Sequence, residues 1–247
     1  MDKRYILFDL DGTLTDSYEG IINAFRYALR HMEIEPRPET FRNCIGPPVT
    51  WSLQTFYGMD DTQADEGLRL FREYYDSRGL YENRPYNGIE EMLQVLNAHG
   101  KKLMVATAKP EHMAIRVLEH FGLADYFCFI AGINQDRSSP VDDPASRATK
   151  EEVIRYVLRT NGILDPENAV MVGDRGGDIR AARQFGLQTL GVTYGYGTED
   201  ELRSAGADHL AETPERVAEI IVLSYYYISG QIFIRILIKH GCRAVFY

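Results

Sequence analysis

Two aspartates one residue apart, Asp9 and Asp11, are the first side chains in the sequence that could act together on a substrate. They directly follow a continuously apolar run from Tyr5 to Phe8, and Gly12 stands next to the second of them. If the extended geometry of the run continues, both carboxylates lie on the same side of the backbone, because alternate residues of a strand share a face. Two carboxylates held this close together favour a bound cation, which offsets their mutual repulsion.

The same pair has two simpler interpretations. An isolated Asp-x-Asp after a strand is usually an acidic turn with no further role. A calcium-binding loop is the second, but it needs a longer acidic array and a later glutamate. Here the chain continues as Thr13-Leu14-Thr15-Asp16, which does not supply that array.

The apolar run before the two aspartates predicts a strand buried on both faces, since it is continuous, rich in strand-forming residues and soon stopped by glycine. In open α/β sheets, ligands bind at the carboxyl ends of such strands. From residue 89 onward, strand patterns alternate with helical patterns, which predicts an α/β fold with a Rossmann-like parallel sheet flanked by helices. The further strands are predicted at residues 103–106, 126–131, 169–172, 188–192 and 207–210.

A second acidic pair, Asp174 and Asp178, follows the predicted strand at 169–172. Its sequence is Gly173-Asp174-Arg175-Gly176-Gly177-Asp178, and the glycines let the backbone approach a ligand closely. Alone, this pattern is only suggestive. Together with Asp9 and Asp11, however, it completes a set of oxygen ligands that a hard divalent cation could use.

Residues 16–85 show helical patterns and no strand signal, which predicts an insert between the first strand and the later repeats. The helical spacing covers residues 49–57 and 62–78 within this insert, after an opening helix that Asp16-Ser17 could cap. The predicted domains are a core of residues 1–15 and 86–223, an all-helical cap of residues 16–85, and an apolar tail of residues 224–247.

The predicted tail, residues 224–247, is apolar, prone to form strands and too short to span a membrane. Packing on the protein surface is the simpler interpretation, and contact with a membrane surface or a partner is the alternative.

No apolar span of transmembrane length occurs anywhere in the chain, and the amino terminus lacks an apolar stretch of signal-peptide length. These features predict a cytoplasmic protein. Its expected oligomeric state is a monomer or a homodimer.

The composition excludes several other classes of function. The chain has 247 residues and a formal net charge of −9, which argues against a nucleic-acid polymer as partner because such a chain repels polyanions. Cys44, Cys128 and Cys242 are far apart and lack ligand spacing, so neither a disulfide framework nor a zinc site is indicated.

The string Asp9-Leu10-Asp11-Gly12-Thr13-Leu14 resembles motif I of the haloacid dehalogenase superfamily, most of whose members are magnesium-dependent phosphotransferases. Taken alone, Thr107 is a residue common in strands, and Lys150 is most simply a solvated lysine. In this order along the chain, however, they resemble motifs II and III, and the stretch from Asp174 to Asp178 resembles motif IV. Because the cap precedes Thr107, the chain is similar to the helical-cap subfamily that includes phosphoglycolate phosphatases, β-phosphoglucomutase and 5′-nucleotidases.

The resemblance implies a role for each matching residue. Asp9 would be the nucleophile that forms an aspartyl phosphate, and Asp11 would be the general acid and base. Thr107, the backbone after it at Ala108, and Lys150 would bind the phosphoryl group. Mg²⁺ would be held by Asp9, Asp11 through its backbone carbonyl, Asp174 and Asp178, and the turn at Gly46 and Pro47 would face the substrate.

The function implied is a magnesium-dependent phosphatase acting on a small phosphomonoester, of the phosphoglycolate or 5′-nucleotide type. A phosphosugar mutase is the alternative within the same superfamily, since it uses the same residues. A catalytically inactive binding protein is the alternative from another class.

Overall fold

A six-stranded parallel sheet forms the centre of the computed structural model, which describes residue 1, residues 3–134 and 146–222, and two strands in the tail. The strands are β1 (Tyr5–Phe8), β2 (Lys102–Pro110), β3 (Phe129–Ile133), β4 (Ala169–Gly173), β5 (Gln188–Val192) and β6 (His209–Ala211). The order across the sheet is β3-β2-β1-β4-β5-β6. This arrangement confirms the predicted α/β, Rossmann-like class.

The register of the central strands brings their carboxyl ends to one edge of the sheet. Phe8 at the end of β1 lies opposite Val105 in β2 and Val172 in β4. Residues that follow these three positions are therefore neighbours, although they are far apart in sequence.

Helices cover both faces of the sheet, because successive residues of β1 are buried on opposite faces. Ile6 and Phe8 belong to the larger apolar cluster, whereas Leu7 points into a second cluster on the opposite face. The helices are α1 (Tyr18–His31), α2 (Val49–Tyr57), α3 (Asp61–Tyr74), α4 (Ile89–Ala98), α5 (Glu111–His120), α6 (Lys150–Thr160), α7 (Gly176–Arg183), α8 (Glu199–Ser204) and α9 (Pro214–Val222). The larger cluster contains side chains of α4, α5 and α9, and the second contains side chains of α6 and α7.

The segment predicted as the cap, residues 16–85, contains α1, α2 and α3 and is described throughout without a strand. Its helices pack on one another through aromatic side chains, such as Phe25 of α1 and Phe71 of α3, whose ring centroids lie 5.0 Å apart. A π-helical turn, Tyr75–Gly79, follows α3. This turn replaces the last part of the single helix that the sequence predicts over residues 62–78.

The helical segment of residues 16–85, called the cap below, is joined to the rest of the chain by two adjacent stretches. Thr15 and Pro85 form an isolated antiparallel bridge. Beside it, the backbone N–H of Asp16 donates to the carbonyl of Arg84 at 2.7 Å. The helical segment is thus connected to the sheet at one place rather than at two separate places.

In the predicted tail, residues 224–247, the structure describes two antiparallel strands, β7 (Tyr225–Ile228) and β8 (Gln231–Ile234). The other tail residues, including Cys242, lie outside the described residues. Cys44 and Cys128 carry free thiols. Within the described part of the chain, no helix is both long and apolar enough to cross a membrane.

Candidate active site

The carboxylates of Asp9, Asp174 and Asp178 form one buried cluster at the carboxyl edge of the sheet. Each contributes an oxygen, and these oxygens all lie within 4.8 Å of one another. Asp9 follows β1, Asp174 follows β4, and Asp178 lies in the first turn of α7. The backbone N–H of Asp9 donates to the carbonyl of Val172 at 2.9 Å, which joins the first two segments. In the described ranges this is the only group of Asp, Glu, His or Cys side chains close enough to hold a metal ion.

Asp174 is held in place by the loop after β5 and by the turn after β1. Its Oδ2 accepts a hydrogen bond from the backbone N–H of Tyr196 at 2.8 Å, and the hydroxyl of Thr13 donates to its Oδ1 at 3.4 Å. Gly12 has a φ of +86°, and a Cβ placed on it would lie 2.2 Å from Asp174 Oδ2. Glycine is therefore required there for the carboxylate to keep its position.

Lys150 supplies the positive charge inside this cluster. Its ammonium lies 2.7 Å from Asp9 Oδ1, 2.7 Å from Asp178 Oδ1 and 2.9 Å from the carbonyl oxygen of Ala106. An ammonium has three donors, so these contacts use all of them. The lysine predicted from the sequence thus lies between the nucleophile candidate and the middle of β2.

The first turn of α6 delivers Lys150 to the site. Thr149 caps this helix, because its hydroxyl accepts a hydrogen bond from the backbone N–H of Glu152 at 3.3 Å. Two residues before Thr149, the buried Arg147 pairs with Glu111 and donates to the carbonyl of Gly132 at 2.8 Å. These contacts fix the segment that leads into the helix, and therefore the origin of the lysine side chain.

Asp11 has different surroundings from the other three aspartates. Its two carboxylate oxygens lie 3.1 Å and 2.8 Å from the ammonium of Lys109, and it takes no part in the carboxylate cluster. A metal contact from Asp11 would come from its backbone carbonyl, as the resemblance implies. Lys109 is not among the residues that the motifs in the sequence predict for the site. Alternation along β2 gives a signal for one, since Lys109 stands two residues after Thr107.

Thr107 and Ala108 lie in β2 beside the cluster. Thr107 is buried, and its hydroxyl accepts a hydrogen bond from the backbone N–H of Lys109 at 3.2 Å. Ala108 is partly exposed. The Lys150 contact to Ala106 ties this part of the strand to the carboxylates.

The cap contacts the core beside the carboxylate cluster. Arg42 donates to the carbonyls of Gly195 and Tyr196, each at 3.0 Å, in the loop that holds Asp174. Gly46 lies at the same boundary, because a Cβ on it would be 3.8 Å from the Cγ of Arg175. Pro47 follows it in this turn and is partly buried. The structure therefore brings the predicted cap turn next to the residue that follows Asp174.

Charges within the cluster are not balanced. Burial raises the pKa of Asp174 well above its ordinary value, and the charges of Asp178 and Asp9 raise it further. Burial also raises the pKa of Asp178 to about 6, although Lys150 opposes the shift. For Lys150, burial lowers the pKa, but Asp178 and Asp9 raise it by more, so the ammonium keeps its proton. One lysine among three carboxylates leaves a negative site.

Such a site can carry out chemistry on a phosphate ester. A carboxylate at the end of a rigid strand can attack phosphorus, and an adjacent ammonium can bind the phosphoryl oxygens. The negative charge that remains suits a hard divalent cation, which prefers oxygen ligands.

Comparison with known proteins places these features in a family. The sequence pattern of the haloacid dehalogenase-like hydrolases matches residues 6–192. A 5′-nucleotidase from Pseudomonas aeruginosa is 40% identical over 205 residues, which cover 83% of this chain and 89% of that protein. A phosphoglycolate phosphatase from Aquifex aeolicus is 32% identical over 199 residues, covering 78% of this chain and 86% of the relative.

Another relative is named as a kinase rather than as a phosphatase. The tyrosine-protein kinase PtkA from Mycobacterium tuberculosis is 38% identical over 198 residues, which cover 80% of this chain but only 64% of PtkA. Less than two thirds of that protein is therefore matched.

A crystal structure of a predicted phosphatase from Clostridium acetobutylicum superposes on this fold with a TM-score of 0.80 and 36% sequence identity. The alignment covers 89% of this chain and 98% of that structure. Both the sequence match and the structural match confirm the resemblance that the motifs suggested. The chain therefore belongs to the haloacid dehalogenase-like hydrolase family.

Proposed function

We propose that this protein hydrolyses a small phosphomonoester, of the phosphoglycolate or 5′-nucleotide type, through a phosphoryl group carried on Asp9. The observation that carries the proposal is the cluster of Asp9, Asp174 and Asp178 around Lys150, at the edge where ligands bind in such sheets. The chain belongs to a family of hydrolases, and its similarity to a 5′-nucleotidase and a phosphoglycolate phosphatase supports a phosphatase.

In the first step, a carboxylate oxygen of Asp9 attacks phosphorus and forms a bond to it, while the bond from phosphorus to the leaving oxygen breaks. The leaving oxygen takes the proton of the Asp11 carboxyl group. Lys150, the hydroxyl of Thr107 and the backbone at Ala108 bind the phosphoryl oxygens, on which the charge of the transferring group is spread.

In the second step, a water molecule attacks phosphorus and the bond from phosphorus to Asp9 breaks. Asp11 accepts a proton from this water, so that both aspartates return to their starting forms and inorganic phosphate leaves. The same carboxyl group thus serves as acid and then as base.

The buried carboxylates fit a magnesium ion, since they offer closely spaced oxygen atoms and an excess of negative charge. Asp9 and Asp174 would bind it through their carboxylates and Asp11 through its backbone carbonyl. Asp178 would bind the ion directly or through a water molecule. Its oxygens already contact Lys150 and the backbone N–H of Arg175. When bound, the ion supplies charge that offsets the repulsion between Asp9 and the phosphate.

The cap controls access to Asp9 in this proposal. Only 11% of the Asp9 side chain is exposed while the cap packs on the core. Movement of the cap would admit the ester, and its return would exclude bulk water. The turn at Gly46 and Pro47 would then contact the leaving group, because it borders Arg175 beside the metal ligands.

A substrate screen tests the proposed function. We expect Mg²⁺-dependent release of phosphate from at least one of phosphoglycolate, 5′-nucleotides, sugar phosphates and acetyl phosphate, and loss of that release in chelator. A requirement for a sugar bisphosphate, with return of the phosphoryl group to the sugar, would instead identify a mutase. No phosphate release from any of these esters would contradict the proposal and favour a binding protein.

The similarity to PtkA favours a second candidate, in which a tyrosine hydroxyl replaces water as the phosphoryl acceptor. The first step would be analogous, with a nucleoside triphosphate as donor. Incubation with a tyrosine-containing peptide and ATP labelled at the γ-phosphate tests this candidate, because a kinase transfers the label to tyrosine, whereas the proposed phosphomonoesterase leaves the peptide unlabelled.

Magnesium should stabilise the protein more at pH 7.5 than at pH 5. The folded, metal-free protein has raised pKa values at Asp174 and Asp178, the latter about 6, so it retains protons that the unfolded chain has already lost. The stability of the metal-free protein therefore falls as pH rises through this range. At the higher pH, Mg²⁺ has fewer protons to displace from these carboxylates, so it binds more tightly. At about 100 times the dissociation constant, the ion should add ~2.7 kcal/mol to the unfolding free energy.

Thermal unfolding with Mg²⁺ and with chelator at both pH values measures this effect. Asp174→Asn keeps the shape of the side chain and should remove most of the magnesium-dependent shift. An equal shift at both pH values, or an unchanged shift in the variant, would contradict a metal site at this cluster.

A further inference from the structure

Each of the two aspartates after β1 has its own lysine. Lys150 binds Asp9 and Asp178, and a role for it follows from the resemblance to motif III. Among the carboxylates of the described residues, Lys109 binds only that of Asp11, at 2.8 Å and 3.1 Å, and the proposed function assigns no role to it. The side chain of Lys109 is 4% exposed, which makes this ion pair part of the interior rather than of the surface.

The contacts of Lys109 occupy all three of its donors. In addition to both oxygens of Asp11, its ammonium lies 2.5 Å from the hydroxyl of Tyr75. These three oxygens match the three donors of an ammonium group. Lys150 also has three partners, but two of them belong to the carboxylate cluster where the phosphoryl group would bind, whereas the partners of Lys109 are Asp11 and Tyr75. The geometry of Lys109 therefore suits holding Asp11 better than binding phosphate.

Tyr75 belongs to the cap, where it opens the π-helical turn after α3. Its ring stacks on Phe71 at 5.3 Å, and Phe71 packs against Phe25 at 5.0 Å. The ammonium of Lys109 also lies 4.9 Å from the centroid of the Tyr75 ring. A continuous set of contacts therefore runs from the packed interior of the cap, through Tyr75 and Lys109, to Asp11.

We propose that Lys109 is a positioning residue that fixes the Asp11 carboxyl group for proton transfer, and that Tyr75 makes this position depend on the cap being packed against the core. The inference rests on the proposed function, because it concerns the residue that protonates the leaving oxygen. The cap would thus do more than cover the site: it would complete the placement of the acid only when the site is covered.

The dependence of the rate on the leaving group tests this inference. An alkyl phosphate needs a proton on its leaving oxygen, whereas p-nitrophenolate leaves without one. Lys109→Met should lower kcat/KM for an alkyl phosphate by about 10²-fold, and that for p-nitrophenyl phosphate by less than about 5-fold. Asp11→Asn should show the same contrast, and adding Lys109→Met to it should lower neither value further.

Tyr75→Phe tests the cap contact with a milder change, and it serves also if Lys109→Met does not fold. It should lower kcat/KM for the alkyl phosphate by about 3- to 10-fold and leave the p-nitrophenyl ester nearly unaffected. The matched control is Tyr81→Phe, which removes a hydroxyl that meets Arg116 across the boundary between cap and core, at 3.1 Å. This control should show no contrast between the substrates.

The outcomes separate the inference from the proposed function. Equal losses with both esters in Lys109→Met, or losses that add in the double variant, would overturn the positioning role while leaving the phosphatase intact. A Tyr75→Phe enzyme with wild-type rates on both esters would overturn the dependence on the cap. Failure of the wild-type protein to hydrolyse either ester with Mg²⁺ would overturn the proposed function, and the inference with it.

Discussion

Asp9→Asn should abolish phosphoester hydrolysis while leaving the protein folded. The amide is nearly the same size as the carboxylate and can still accept a hydrogen bond from Lys150, which lies 2.7 Å from Asp9 Oδ1. It is a very poor nucleophile toward phosphorus, however, so no phosphoryl group can be carried on the side chain. We expect the rate of phosphate release to fall about 10⁴-fold or more.

Phosphate release and the mass of the protein quenched in acid during turnover measure this effect. The wild-type protein should gain a phosphoryl group at Asp9, and the variant should not. Asp125→Asn is the matched control, because it makes the same change at an exposed position in the turn Ala124–Tyr126, away from the site. Wild-type activity in Asp9→Asn would contradict the proposed mechanism directly.

Lys150→Met should be the second most damaging substitution. Methionine keeps the length of the side chain but removes the charge between Asp9 and Asp178, and it leaves the carbonyl of Ala106 without this donor. Because the ammonium stabilises charge on the phosphoryl group, kcat should fall about 10²- to 10³-fold. In chelator, the unfolding free energy should also fall, by about 3 kcal/mol, since two buried carboxylates lose their partner.

The two effects of this substitution separate when Mg²⁺ is added. The ion offsets part of the lost charge in the cluster, so thermal unfolding should recover toward the wild-type temperature, whereas kcat should not recover. Lys102→Met is the matched control, since it lies exposed at the opposite end of β2 and should change neither quantity. A variant at Lys150 that loses stability but keeps its kcat would show that the lysine is structural only.

Much of the fold could be predicted because the apolar spacing is unambiguous. Strand patterns predicted all six strands of the parallel sheet near their observed positions, and helical spacing predicted α2 at its observed bounds. The approach of Asp9 and Asp174 could also be expected, since parallel strands end at one edge of a sheet. Family membership then followed from motifs that occur in the right order.

The unpredicted parts of the site depend on contacts that no local pattern contains. Tyr196 holds Asp174 through its backbone N–H, a group that every residue except proline possesses. Tyr75 reaches Lys109 because a π-helical turn begins there, whereas the sequence predicts that the helix continues. Lys109 itself was missed because lysine at a strand end is usually solvated, and its burial becomes visible only with the cap in place.

The bridge between Thr15 and Pro85 has a consequence for how this enzyme could change its substrate. The two ends of the helical segment are neighbours. The whole segment could therefore be exchanged for another without disturbing any strand of the sheet. Under the proposed function, selection of the ester by the helical segment and cleavage of its phosphorus–oxygen bond can therefore diverge separately, with one part of the gene free to vary while Asp9, Lys150 and Asp174 stay unchanged.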